Sequence, residues 1–252
     1  YMIKSILKYG FLSVAIFLMA FAPADTPTEI VKKAYYNVRS SAYSMNMTMK
    51  LVRPKWTREL TFKSWSKDAD YGMMVIQAPA KDKGISTLRI KSEGWTWLPS
   101  IERVTKISPS QMSQSWMGSD FTNEDLLKEA SIVNDYTHKL LGEEKFQNVT
   151  CYKIQATPKP NAAVVWGKVI LWISKDDILQ RKAEYYDEDG TLINTLINSD
   201  FKTVGGKKIA TTLEMTPNNK KGQKTILTIS AANFSEKLDN NFFSKEKMKT
   251  VK

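Results

Sequence analysis

Cysteine and histidine are nearly missing from this 252-residue chain: there is one of each, Cys151 and His138. A single cysteine excludes an internal disulfide, so apolar burial must hold the fold together. One histidine and one cysteine exclude a His/Cys metal site, and no HExxH stands in the sequence. A Ser-His-Asp triad would have to use His138, yet no nucleophile elbow surrounds any serine. Neither a P-loop nor GxGxxG occurs, which removes the common nucleotide cradles. The acidic run Asp187-Glu188-Asp189 lacks EF-hand spacing and reads as a hairpin turn. Carboxylate-only chemistry needs just two acids and stays open, although nothing points to a pair. The reading is therefore not an enzyme, with neither cofactor nor metal.

Long apolar runs are also scarce. The one conspicuous run, Phe11–Phe21, follows Lys4 and Lys8 and ends in the small-residue sites Ala20-Phe21-Ala22 and Ala22-Pro23-Ala24. It is too short for a membrane span and has the flanks of a secretory leader. Residues 1–24 are thus expected to be a cleaved signal peptide, and 25–252 one exported domain; Tyr1, before Met2, is left out of this reading. No cysteine follows the run, so a lipid anchor is not expected. Removing the leader takes two of the +11 net charges and leaves +9 on 228 residues. That charge favours an anionic partner or serves as a solvated face; export argues against nucleic acid. Linkers and repeats are lacking too.

What is present is β patterning. Thr26-Pro27-Thr28-Glu29 forms a capping box, and Ile30, Val31, Ala34, Tyr35 and Val38 follow at helical spacing to about Ser40-Ser41. The period then becomes two. Strands are expected over 44–53, 56–65, 71–78, 86–90, 94–98 and 102–107. After a helical break they resume over 139–146, 150–157, 164–174, 178–186, 191–202, 207–216 and 224–234. Short turns between them specify an antiparallel meander. Within the break, Ser108–Gln111 and Thr122–Asp125 begin two short helices, with Gly118 between them; a last helix follows Ser244. The expected fold class is mainly β with α: a strongly curved antiparallel sheet, an incomplete barrel, covered by a few amphipathic helices. A membrane barrel competes poorly, because Lys63, Lys168, Arg181 and Lys182 would meet lipid.

The sharpest local feature is Met45, Met47 and Met49 on one strand face, joined by Leu60 and Phe62 on the next strand. Such a stripe is either ordinary core under the first helix or the adaptable wall of a cavity. Trp95 and Trp97 share a face. Met112, Trp116 and Phe121 lie in the helical break, the natural lid with Gly118 as its hinge. These ten residues are the candidate lipid-binding set, because a curved sheet covered by helices can hold an acyl chain.

Two longer motifs carry a resemblance. Gly94-Trp95-Thr96-Trp97-Leu98-Pro99-Ser100-Ile101-Glu102-Arg103-Val104 and Met117-Gly118-Ser119-Asp120-Phe121-Thr122-Asn123-Glu124-Asp125-Leu126 resemble the outer-membrane lipoprotein-sorting protein family, the LolA-like periplasmic carriers, in a divergent branch. The resemblance implies an incomplete barrel whose helices plug an apolar cavity for lipid chains. It also implies an inner-membrane transporter upstream, ABC-type or a proton-driven exporter, and an outer-membrane acceptor downstream. The expectation is a periplasmic carrier binding acyl chains of lipoproteins or other lipids. A lipid-sensing regulatory domain of the same fold, acting through a protein partner, is the alternative, and the lack of a further domain after residue 252 counts against it. A hydrolase of envelope polymers comes last. In this reading Trp95 and Trp97 lie near the cavity, and 117–126 forms the turn into the lid helix.

Overall fold

The computed structural model describes residues 25–128 and 131–252; the leader reading falls outside these residues. Helix α1 (Pro27–Asn37) starts where the capping box places it. Thr26 N–H donates to Glu29 Oε2 at 2.7 Å, and Glu29 N–H donates to Thr26 Oγ1 at 3.2 Å. Its buried stripe is Ile30, Val31, Ala34 and Tyr35.

Six strands follow: β1 (Ala42–Arg53), β2 (Trp56–Lys67), β3 (Tyr71–Ala78), β4 (Ser86–Ile90), β5 (Glu93–Leu98) and β6 (Arg103–Ile107). A crossover carries α2 (Asn123–Leu127) and α3 (Ser131–Asn134). Seven more strands complete the sheet: β7 (Tyr136–Phe146), β8 (Val149–Pro158), β9 (Lys168–Ser174), β10 (Gln180–Tyr186), β11 (Leu192–Val204), β12 (Lys207–Pro217) and β13 (Lys224–Asn233). Helix α4 (Lys245–Met248) follows β13.

All thirteen strands form one antiparallel sheet in the order β6-β5-β4-β3-β2-β1-β13-β12-β11-β10-β9-β8-β7. Strand β13 returns to pair with β1, so the two meanders join in the middle. The sheet is not closed: β6 and β7 are its free edges. Closure is what a membrane barrel requires. The crossover leaves one free edge and arrives at the other.

Three differences from the sequence reading have local causes. The Ser108 box produces only a single 3₁₀ turn, Pro109–Gln111, and a second turn at Trp116–Gly118 stands apart from it. Consecutive positive φ at Met117 (51°) and Gly118 (78°) break any helix there. Strand β9 begins at Lys168 rather than 164, because Gly167 passes tightly under Asp187: a Cβ there would lie 2.5 Å from the Asp187 carbonyl oxygen. Helix α3, which precedes β7, carries too few apolar residues to show a period in the sequence.

The main core lies on the inner sheet face. A second cluster occupies the outer face of the β2–β5 half, where Trp65, Met73, Leu88 and Trp95 pack against Phe243 and Met248 of the C-terminal segment. A third, small outer cluster holds Cys151, Ile170 and Trp172. There Lys182 and Lys153 ammonium groups lie 4.3 and 4.9 Å from the Trp172 ring centre.

Candidate functional site

Alternation along the strands decides which side chains look inward. On β1 these are Tyr43, Met45, Met47, Met49 and Leu51. The register then pairs Met45 with Ser64, Met47 with Phe62, and Met49 with Leu60. On β9 it is Val169, Leu171 and Ile173, while Ile170 and Trp172 turn outward. That settles which face of this two-sided apolar strand meets the interior.

Between the inner face, α1 and the crossover lies a cavity of about 350 Å³, within the roughly 300–1,000 Å³ of small-molecule sites. Met45, Met47 and Phe62 form one wall; Val169, Leu171 and Ile173 form the opposite one. Val31, Ala34 and Tyr35 of α1 cover it, together with Phe121 and Leu126 of the crossover. The walls are flexible thioethers, branched aliphatics and aromatic rings, which tolerate apolar occupants of varied shape.

Of the ten candidate residues, Met45, Met47, Phe62 and Phe121 line this cavity. Met49 and Leu60, both fully buried, lie further along the same strands as packed core. Trp116 belongs to that core too, its ring centre 5.4 Å from that of Phe62; Met112 is buried but does not line the cavity. Trp95 and Trp97 depart from the expectation. Both belong to the outer cluster, because Trp95 pairs directly with Leu88 and Leu88 with Met73, and Trp97 lies two positions along β5 from Trp95, on the face that the C-terminal segment covers. The Lys245 ammonium sits 4.8 Å from the Trp95 ring centre.

The Met117–Leu126 motif covers the cavity with Phe121 and Leu126 and is at the same time an anchor. Asp120 accepts from Arg53 Nη1 at 3.0 Å and from Thr225 Oγ1 at 2.7 Å, and its N–H donates back to Thr225 Oγ1 at 3.0 Å. Arg53 Nη2 donates to the Gly118 carbonyl at 2.9 Å, and Asn194 Nδ2 to that of Asp120 at 3.2 Å. One turn of the crossover is thereby fixed to β1, β11 and β13. Next comes α2, capped by Thr122 with Asp125. Asp125 accepts from Trp166 Nε1 at 2.9 Å, and Glu124 from Val165 N–H at 3.1 Å. Burial pushes both carboxyls above the usual range, against the pull of these hydrogen bonds. It also raises the phenols of Tyr136 and Tyr185. His138 links α1 to α3: Nδ1 lies 3.1 Å from Thr28 Oγ1 and Nε2 lies 2.8 Å from the Ile132 carbonyl. Burial lowers its pKa.

The sequence reading missed the covering residues of α1, the β9 wall and the polar inward residues of β2–β4. The α1 stripe was visible as a period; its cavity-facing position depends on where the helix lies. Among the described residues no group of three or more His, Cys, Asp or Glu could hold a metal ion, and no helix is long and apolar enough to cross a membrane.

Comparison with known proteins agrees with this geometry. A DUF1329 family protein from Desulfovibrio piger superposes with a TM-score of 0.82 at 24% identity, covering 88% of this chain and 97% of that one. An outer membrane lipoprotein-sorting protein domain from Vibrio parahaemolyticus gives 0.78 at 25% identity, covering 88% and 98%. A LolA superfamily protein from Nitrosomonas europaea gives 0.77 at 24% identity, covering 88% and 99%. No curated protein matches the chain. A family model described as "uncharacterized protein"-like matches residues 68–250. The chain therefore belongs to that family, and its curved, open sheet is the LolA-like fold.

Proposed function

We propose that this protein is a periplasmic carrier, exported by the leader at 1–24, whose domain 25–252 binds acyl chains of lipoproteins or other lipids and moves them toward the outer membrane. Met45, Met47, Phe62 and Phe121 contact the chain, with Met49, Leu60 and Trp116 supporting that wall. An inner-membrane transporter, ABC-type or proton-driven, loads it, and an outer-membrane acceptor unloads it. The observation that supports this most is the apolar cavity enclosed by the inner sheet face, α1 and the crossover. Burying a chain of ~16 carbons there is worth roughly 12 kcal/mol at about 0.8 kcal/mol per CH₂. Such binding needs no polar chemistry. The LolA-like fold supports the same role, since a solved structure that shares it is described as lipoprotein-sorting.

The test is purification after expression of the full chain, followed by solvent extraction and mass spectrometry. The carrier reading expects co-purified lipid, and displacement of the neutral probe N-phenyl-1-naphthylamine by hexadecanol. A protein that carries no lipid and takes up neither probe nor hexadecanol refutes it.

A further inference from the structure

The inner face is not apolar throughout. The β1–β4 register sets Tyr43, Ser66, Gly72 and Arg89 in one inward row, and Met45, Ser64, Met74 and Thr87 in the next; all eight line the cavity. Arg89 is the anomaly. It is 4% exposed, and its guanidinium donates to two neutral acceptors, the carbonyls of Ala69 and Tyr71, the latter at 3.3 Å. Among the described residues no carboxylate forms an ion pair with it. Asp68 and Asp70 flank Ala69 without reaching it. Asp125 is held by Trp166 and Thr122, and Glu124 by Val165 N–H and, at 3.7 Å, by Lys128.

Gly72 keeps room for this group: a Cβ there would lie 3.3 Å from both Arg89 Nε and Nη2. A buried cation with no counter-charge among the described residues is costly to bury, and two carbonyls offset only part of that cost. Five donors in a planar fork suit an anionic oxygen group, and at least two remain after the carbonyls are served. The Ser64 and Thr87 hydroxyls stand in the adjoining row.

We infer that Arg89 is the head-group site of the cavity: it receives a phosphate or carboxylate whose hydrocarbon chain lies against Met45, Met47 and Phe62. The inference rests on the carrier reading and narrows its cargo to anionic amphiphiles. Phospholipid and free fatty acid present the same oxygen chemistry, so the experiment separates them.

Full-chain protein is expressed, purified and delipidated, and the probe N-phenyl-1-naphthylamine is displaced by hexadecanoate, hexadecyl phosphate and hexadecanol, which share one chain length. The unaltered protein should bind at least one anionic ligand about 10- to 100-fold more tightly than hexadecanol, the range of a charge-assisted hydrogen bond. A lead for hexadecyl phosphate assigns the site to phospholipid head groups; a lead for hexadecanoate assigns it to fatty acids. Arg89→Met should abolish the preference, bringing both anions to within about threefold of hexadecanol on the same variant, and Arg89→Lys should keep part of it. A guanidinium that only clamps the β2–β3 turn would leave the preference in Arg89→Met and lower its melting temperature alone, which overturns the inference. If Arg89→Met does not fold, the three ligands on unaltered protein still decide: equal affinities sink the head-group site and leave the carrier reading standing. Failure of all three ligands to bind refutes the carrier reading itself.

Discussion

Asp120 offers the most exposed test of how the crossover is held. Its carboxylate and the Arg53 guanidinium are both almost fully buried, with side chains 4% and 9% exposed. Asp120→Ala removes the acceptor for Arg53 and Thr225 together and leaves Arg53 as a buried cation whose remaining acceptors are carbonyls. Breaking one side of such a pair costs about 3–5 kcal/mol. At about 2–4 °C per kcal/mol for a domain of this size, the melting temperature should fall by roughly 6–20 °C. Urea unfolding should show the same loss as a lower midpoint with an unchanged slope. Arg53→Met combined with Asp120→Ala should recover part of that loss, since the double variant strands no charge. Hydrogen exchange should quicken at Trp116 and Phe121, next to the altered residue. A loss below about 1 kcal/mol, or strict additivity in the double variant, would refute the claim that this pair bolts the crossover to the sheet.

Three further outcomes follow from the same geometry. Met47→Asp should weaken hexadecanol uptake tenfold or more, because it sets a carboxylate in an apolar wall, whereas Lys50→Asp, on the outward side of β1, should change it little; equal effects in a displacement titration would reverse the assignment of faces. His138 has a pKa lowered by burial from its usual 6.5, so its neutral form favours the fold. Its contribution is complete above about 6.5 and is lost as pH falls from there through the lower folded-state value; Asp125 and Glu124, raised by burial, slope the opposite way. The difference in stability between unaltered protein and His138→Gln should therefore shrink from pH 7.5 to 5, and a constant difference would contradict this. Met248→Ala should cost about 2–5 kcal/mol by opening the outer cluster while hexadecanol affinity stays within about twofold; a parallel loss of binding would mean that the two clusters are one.

The sheet was legible because period-two alternation and turn residues are local signals. Met45, Met47 and Met49 announce a buried face whatever lies beyond it, and the Thr26 and Thr122 boxes fix where α1 and α2 begin. Sidedness is not local. Trp95 and Trp97 alternate as properly as the methionines, yet their face is settled by the segment 238–251, more than 130 residues away, which covers the outside of the sheet. The same holds for Arg89, which reads as an ordinary solvated charge until the register sets it beside Ser66 and Gly72. Asp120 looked like part of a motif; its partners Arg53, Asn194 and Thr225 come from three separate strands.

Those partners also bear on which part of the cover can yield to a ligand. The crossover is held by charge and polar contacts: Asp120 on three strands, Asp125 on Trp166, Glu124 on Val165. An acyl chain has nothing to offer these groups, so lifting this segment strands them without compensation. Helix α1 is held differently. Two of its polar ties, Thr28 to His138 and Asn37 to the Ile178 carbonyl, are peripheral, and each is worth about 0.5–1.5 kcal/mol. Its main attachment is the apolar stripe of Ile30, Val31, Ala34 and Tyr35, which a hydrocarbon can replace in kind. If that stripe contributes roughly 6 kcal/mol, about eight methylenes at 0.8 kcal/mol each offset its release. On that footing, exchange of helix for chain costs less at α1 than lifting the crossover, whose polar groups would lose their partners. The hinge expected at Gly118 lies instead at an anchored turn, and the cover that α1 supplies is the apolar one, the part that the proposed carrier would have to yield to a hydrocarbon.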